Sequence, residues 1–131
     1  MLYRSPRRGP GSLIRFDRLT GETGAVASGG AKMSGVHAAA VCFDLHVPES
    51  RSLKVKRAAI RPVVDGLRHR FHVSVAEVDH QDQWQRAAIG VAVVASSDGQ
   101  LREILDSVER FVDTAANVEL LEVHTDWLDE A

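Results

Sequence analysis

From Val36 onward the chain first alternates and then coils. Ala39, Val41, Phe43, Leu45 and Val47 fall on one face of an extended segment, with Ala38, Ala40, Cys42, Asp44 and His46 on the other, which is the period of a half-buried strand. Pro48 ends it, because proline has no N–H to give a sheet ladder. Glu49 to Phe71 then predicts a long helix with Ser50 or Ser52 as N-cap and an apolar stripe at Leu53, Ile60, Val64, Leu67 and Phe71. Beside that stripe runs a basic one at Lys54, Arg57, Arg61 and Arg68. Pro62 removes a backbone donor and crowds the preceding turn, which predicts a kink, with a break into two helices as the alternative.

The β-branched run His72 to Asp79 predicts a second strand. Ala87 to Ala95 predicts a third, with Ala87, Ile89, Val91 and Val93 facing in and His80 to Arg86 as the hairpin loop between the two. Asp98 is the expected cap of a second helix, whose apolar residues Leu101, Ile104, Leu105, Val108, Phe111 and Val112 recur at helical spacing. Val118 to Trp127 closes as a fourth strand, with Leu121 and Val123 on one face and Leu120, Glu122, His124 and Asp126 on the other. The order β-α-β-β-α-β is the split βαβ pattern. Each helix has one apolar stripe, so both should pack on the same side of a four-stranded antiparallel sheet and leave its other face open.

Composition adds boundaries. A chain of 131 residues supports one domain, assigned to residues 36–128, with residues 129–131 as a frayed tail. Residues 1–35 read as a disordered basic N-terminal extension: they are rich in Gly, Ser and Arg, show no sustained apolar period, and residues 1–32 carry a net charge of +4. Arg7-Arg8 has no apolar run behind it, which argues against an export signal, and Met33 stands as an alternative start directly before the first regular element. No apolar run is long enough to span a membrane, and the single Cys42 asks for no oxidising compartment, so a reducing cytoplasm is the expected setting. Residues 33–131 carry a net charge of −6, yet Arg51 to Arg70 contains seven Lys/Arg against the single acid Asp65. That local polarity is what can steer a polyanion.

Three kinds of chemistry can be weighed on these elements. The open face should bring together Cys42, Asp44 and His46 with Ala88, Gly90 and Ala92 and with Glu122, His124 and Asp126. Within that set Asp44, His46, Glu122 and His124 form a weak alternative as a metal shell or acid/base group, since outward strand positions are polar in any case. No HExxH, CxxC or Gly-rich phosphate loop accompanies them, and neither a nucleophile nor a cofactor is assigned. Base stacking on the sheet, as in RNA-recognition motifs, is disfavoured because outward positions of the central strands are Cys, Asp, His, Ala and Gly. Trp84, in the hairpin loop, is the best single contact candidate: either an anchor for a partner or a lid over the domain's own core.

The strings FDLHVPESRSLKVKR (43–57), RFHVSVAEVDHQDQWQRA (70–87) and ELLEVHTDW (119–127) resemble the bacterial YlxP-like family, domain of unknown function 503. The resemblance covers Val36 to Trp127 and implies a ferredoxin-like α/β plait of the α+β class. It carries no established activity. Genes of the family often lie among those for transcription, translation initiation and ribosome maturation, which implies by association a role near RNA or the ribosome. By matching position the family pattern highlights Ser52, Leu53, Lys54, Lys56 and Arg57 at the helix start and Glu77, Asp79, Trp84 and Gln85 around the hairpin. Two departures stand out: Val55 where family members commonly have Glu, which removes a capping box with Ser52, and Pro62 within the helix.

The leading expectation is therefore a non-catalytic accessory factor that binds structured RNA or a ribosomal surface. Lys54, Lys56, Arg57, Arg61 and Arg68 are its phosphate contacts, with Trp84 and Gln85 as partner contacts. A homo-oligomeric module using the open sheet face, and an enzyme using the His/carboxylate set, are the alternatives.

Overall fold

The computed structural model describes residues 35–128, so the expectations for the rest of the N-terminal extension and for residues 129–131 lie outside the described residues. Six elements follow one another: β1 (His37–His46), α1 (Leu53–Phe71), β2 (Ser74–Asp79), β3 (Arg86–Ala95), α2 (Asp98–Asp113) and β4 (Glu119–Trp127). The strands form one antiparallel sheet in the order β2-β3-β1-β4, and the fold is ferredoxin-like α+β. Among the described residues no helix is long and apolar enough to cross a membrane.

Alternation along the central strands decides which sheet face is dry. Ala39, Val41, Phe43, Leu45 and Val47 from β1 and its exit, and Ala87, Ile89, Val91, Val93 and Ala95 from β3, are all buried. They meet Ile60, Val63 and Leu67 from α1 and Leu101, Leu105, Val108 and Val112 from α2 in one core. Trp127 packs at the edge of this core, with Arg102 stacked 4.6 Å from its ring centroid.

Of the two expected caps of α1 one is right, and the cap of α2 lies one residue earlier than expected. Ser52 caps α1, its Oγ accepting from Val55 N at 3.1 Å, whereas Ser50 is buried and donates to the Ser52 carbonyl at 3.1 Å. Ser97, not Asp98, caps α2 by accepting from Gln100 N at 3.1 Å. The chain does not break at Pro62: α1 is one helix from Leu53 to Phe71. Ala58 and Pro62 are both exposed, so the Ala58 carbonyl that proline leaves without its intrahelical donor can be hydrated. The helix ends at His72, whose backbone is left-handed (φ 55°) and whose N–H returns to the Arg68 carbonyl at 3.0 Å.

One prediction arises from the contact between the helices. A Cβ on Gly66 would overlap the ring of Phe111, which is itself set edge-on to Phe71 at 5.8 Å between centroids. Alanine at 66 gains about 1 kcal/mol of helix propensity but forces a displacement costing typically 1–3 kcal/mol. Gly99 has nothing within 4 Å of its added Cβ. Chemical denaturation should therefore find Gly66→Ala less stable than the parent and Gly99→Ala no less stable. A stabilised Gly66→Ala would show that the helices do not approach so closely.

A β-bulge changes the reading of β4. The register against β1 slips between Asp44 and Leu45, so that Asp44 faces Glu122 while Leu45 faces Leu120. Leu121 is the extra residue and is 52% exposed, and Leu120 instead packs on the core. The expected placing of Leu121 inward and Leu120 outward is thus inverted. Beyond the bulge Val123 faces in, and Glu122, His124 and Asp126 face out with Asp44, Cys42 and Ala40. A second slip, between Glu77 and Asp79, sets Val78 out over Gly90.

Candidate nucleic-acid interface

Lys54, Arg57 and Arg61 lie at successive turns of α1 and are exposed. Among the described residues none of them has a carboxylate within ion-pairing distance, and Asp65, one turn past Arg61, makes no ion pair with it. The stripe is therefore cationic and uncommitted. Arg68, at the far end, is exposed as well, but its Nη2 donates to the Val75 carbonyl at 2.9 Å and ties α1 to β2.

Lys56 does not belong to that surface. It is 1% exposed and sits on the core side of the helix, at the spacing that leads to Ile60, Val63 and Leu67. Its ammonium donates to the carbonyls of His80 at 2.8 Å and Arg86 at 3.1 Å, with that of Gln81 at 3.5 Å. Glu77 Oε2 lies 3.1 Å from Nζ without a well-directed hydrogen bond, so it contributes opposite charge rather than an acceptor. An ammonium enclosed in this way cannot meet a phosphate, and the expectation of Lys56 as a phosphate contact is corrected. The signal was present in the sequence: position 56 is one turn before Ile60, in phase with the buried face.

The hairpin loop that Lys56 enters is fastened elsewhere too. Gln85 Nε2 donates to the Ser50 carbonyl at 3.1 Å, and the Gln85 carbonyl accepts from Val47 N at 2.9 Å. Gln85 is exposed, and its amide is tied to the approach to α1. Asp79 Oδ1 accepts from His80 N at 2.8 Å, and Gln83 N donates to the His80 carbonyl at 3.0 Å. Between these anchors Trp84 is 54% exposed, which excludes its reading as a lid over the core.

The open sheet face has two halves. One is a carpet of small residues, Ala38, Ala40, Cys42, Ala76, Gly90 and Ala92, bordered by Val94 at 67% and Val78 at 50% exposure. The other is polar and internally paired. Arg86 Nη2 reaches both oxygens of Asp44, at 2.8 and 2.9 Å, and His80 Nε2 lies 3.7 Å from the same carboxylate. His46 Nδ1 pairs with Glu119 at 3.0 Å. The set Asp44, His46, Glu122 and His124 does not converge: His124 is opposite Cys42, four residues along β1 from His46 and so about 13 Å away. Among the described residues no group of three or more His, Cys, Asp or Glu is placed to hold a metal ion. Arg86, which occupies Asp44, was not singled out from the sequence. The Cys42 thiol is pushed above its ordinary value by burial, and further by the carboxylates of Asp44, Asp79 and Glu122, so it stays protonated and unreactive at neutral pH.

Residues 38–125 match the family model described as protein of unknown function, DUF503. The chain belongs to this family. A curated relative, the uncharacterized protein YlxP of Bacillus subtilis (strain 168), is 35% identical over 79 residues, covering 60% of this chain and 86% of that protein. Among solved structures, the de novo designed protein Foldit4 aligns with a TM-score of 0.42 at 15% identity, covering 68% of this chain and 96% of the designed one. Within the matched region fall the basic stripe of α1, the Lys56 clamp and the loop bearing Trp84.

Proposed function

We propose that this protein is a non-catalytic accessory factor that docks on RNA, free or at a ribosomal surface, through Lys54, Arg57 and Arg61, with Arg68 at the rim. The observation that carries the reading is the state of Lys54, Arg57 and Arg61: exposed, on one helix, and without an ion-paired acid among the described residues, in a chain whose residues 33–131 carry net negative charge. Free positive charge on a fixed stripe attracts phosphates, while the surrounding negative charge disfavours wrong approaches. The metal-centre reading is less favoured because Asp44 is held by Arg86 and, among the described residues, no group of three or more His, Cys, Asp or Glu is placed to hold a metal ion. The test is co-sedimentation of the full chain with ribosomal particles and with purified RNA at low and high salt, parent against Lys54→Glu/Arg57→Glu. Association that weakens with salt and with the charge reversal supports docking; association indifferent to both removes it.

A second reading concerns the sheet. The small-residue carpet allows another backbone to approach closely, and Val94 and Val78 at its border are apolar side chains left in water. A second copy of this chain packed face to face would cover them on both subunits at once. Light scattering at rising protein concentration should then give a dimer that Ala92→Arg abolishes. A monomer at every concentration rules the dimer out.

A further inference from the structure

The loop between β2 and β3 is built as a rigid bracket, and what it holds out is an indole. Lys56 takes a carbonyl at each end of the bracket, His80 on the way in and Arg86 on the way out. Gln83 N closes the turn on the His80 carbonyl, and Gln85 is bonded twice to the segment that leads from β1 into α1. Every residue of 80–86 except Asp82 and Trp84 thus has a hydrogen bond that fixes its backbone or side chain. An aromatic ring gains from burial, and flexible loops commonly fold their aromatics down to obtain it. Here Trp84, between anchored neighbours, is more than half exposed.

The bracket also decides where the ring stands. Its anchors are Ser50, just before α1, and Lys56, in the first turns of α1. Lys54 and Arg57 project from those same turns and are exposed, and Arg51 adjoins Ser50. That end of the molecule therefore carries an exposed indole and the exposed cations Arg51, Lys54 and Arg57, with the carboxylates of Glu49 and Asp82 exposed there as well. A duplex presents phosphates but keeps its base faces stacked inside. A single strand presents both, and base stacking on an aromatic side chain combined with a basic track is how unpaired strands are held.

We propose that Trp84 is a base-stacking residue, and that the end of the molecule it shares with Lys54 and Arg57 takes an unpaired stretch of RNA in preference to duplex. This rests on the reading of α1 as an RNA-docking helix and adds the class of RNA and the residue that selects it. Lys56 and Gln85 act as positioning residues for the ring.

Fluorescence anisotropy with a short labelled oligouridylate, and with an RNA duplex of the same length, tests it on the full chain. The single strand should bind more tightly than the duplex. Trp84→Ala should weaken single-strand binding about 5- to 100-fold while changing duplex binding little, and Trp84→Phe should keep most of the affinity. Trp84 is exposed, so an unchanged melting curve for both variants shows that the fold is intact. If Trp84→Ala leaves single-strand affinity unchanged while Lys54→Glu/Arg57→Glu removes it, stacking is overturned and docking through α1 stands. If neither matters, both fall, and a preference for duplex overturns the proposal of unpaired RNA.

Discussion

Lys56→Ala should destabilise the domain by about 3 kcal/mol, far more than any other lysine or arginine of α1. Truncation strands the carbonyls of His80 and Arg86 inside the protein and leaves the Glu77 carboxylate without its counter-charge. Breaking a buried pair from one side typically costs 3–5 kcal/mol, and the lower end applies here because Glu77 is still 22% exposed. In urea that loss is a fall in midpoint of roughly 2 M for a domain of this size. Lys56→Met keeps the aliphatic stem packed and should fall between the parent and Lys56→Ala. Lys54→Ala, on the exposed stripe, should stay within about 0.5 kcal/mol of the parent. Equal midpoints for Lys56→Ala and Lys54→Ala would mean that the ammonium is not clamped. A lower midpoint for Lys56→Ala with faster proteolysis within 80–86 would tie the loss to the bracket.

The contrast between Lys54 and Lys56 also shows what a sequence can and cannot convey. Both are lysines two positions apart, and composition gives them the same part to play. Helical phase separates them, because Lys56 falls in line with Ile60, Val63 and Leu67, but the rule that charges stay wet overrides that phase until the loop carbonyls able to receive the ammonium are known. Those carbonyls come from 24 to 30 residues away, a distance that no local pattern spans. The bond of Gln85 is illegible for the same reason: its acceptor, the Ser50 carbonyl, is backbone and leaves no mark in the sequence.

Strand phase was easier to read wherever the ladder stayed regular. In β1 and β3 the inward residues follow from strict alternation, because their mutual register runs from His37 to His46 without a slip. In β4 the pair Leu120 and Leu121 allows either phase. The bulge opposite Asp44 and Leu45 selects Leu120, a choice that depends on pairing with another strand. The order of elements and the sidedness of the helices were legible because both depend on periods of two and 3.6 residues, repeated long enough to average out single exceptions. The paired state of Asp44 was not, since Arg86 lies 42 residues away and reaches it only after β1 and β3 are joined.

Reversing Lys54, Arg57 and Arg61 together to Glu should remove most of the salt dependence of RNA binding, and this is the larger of the two functional effects. Each neutralised phosphate of a single strand releases about 0.7 of a counterion, so three contacts give a slope of about −2 in log affinity against log salt. Between 50 and 200 mM salt the parent should therefore lose about 20-fold in affinity. The triple variant, with acids in place of the cations, should bind weakly at both concentrations and show a slope near zero. Because all three side chains are exposed and unpaired among the described residues, the reversal should leave the melting temperature close to the parent's. Lys56 contributes nothing to this slope, for its charge is already spent inside the protein. A parent slope much steeper than −2 would place further cations at the contact, with Arg51, just before the helix, and Arg68, near its end, as the next candidates. A parent whose affinity does not change with salt would mean that phosphates are not what α1 meets.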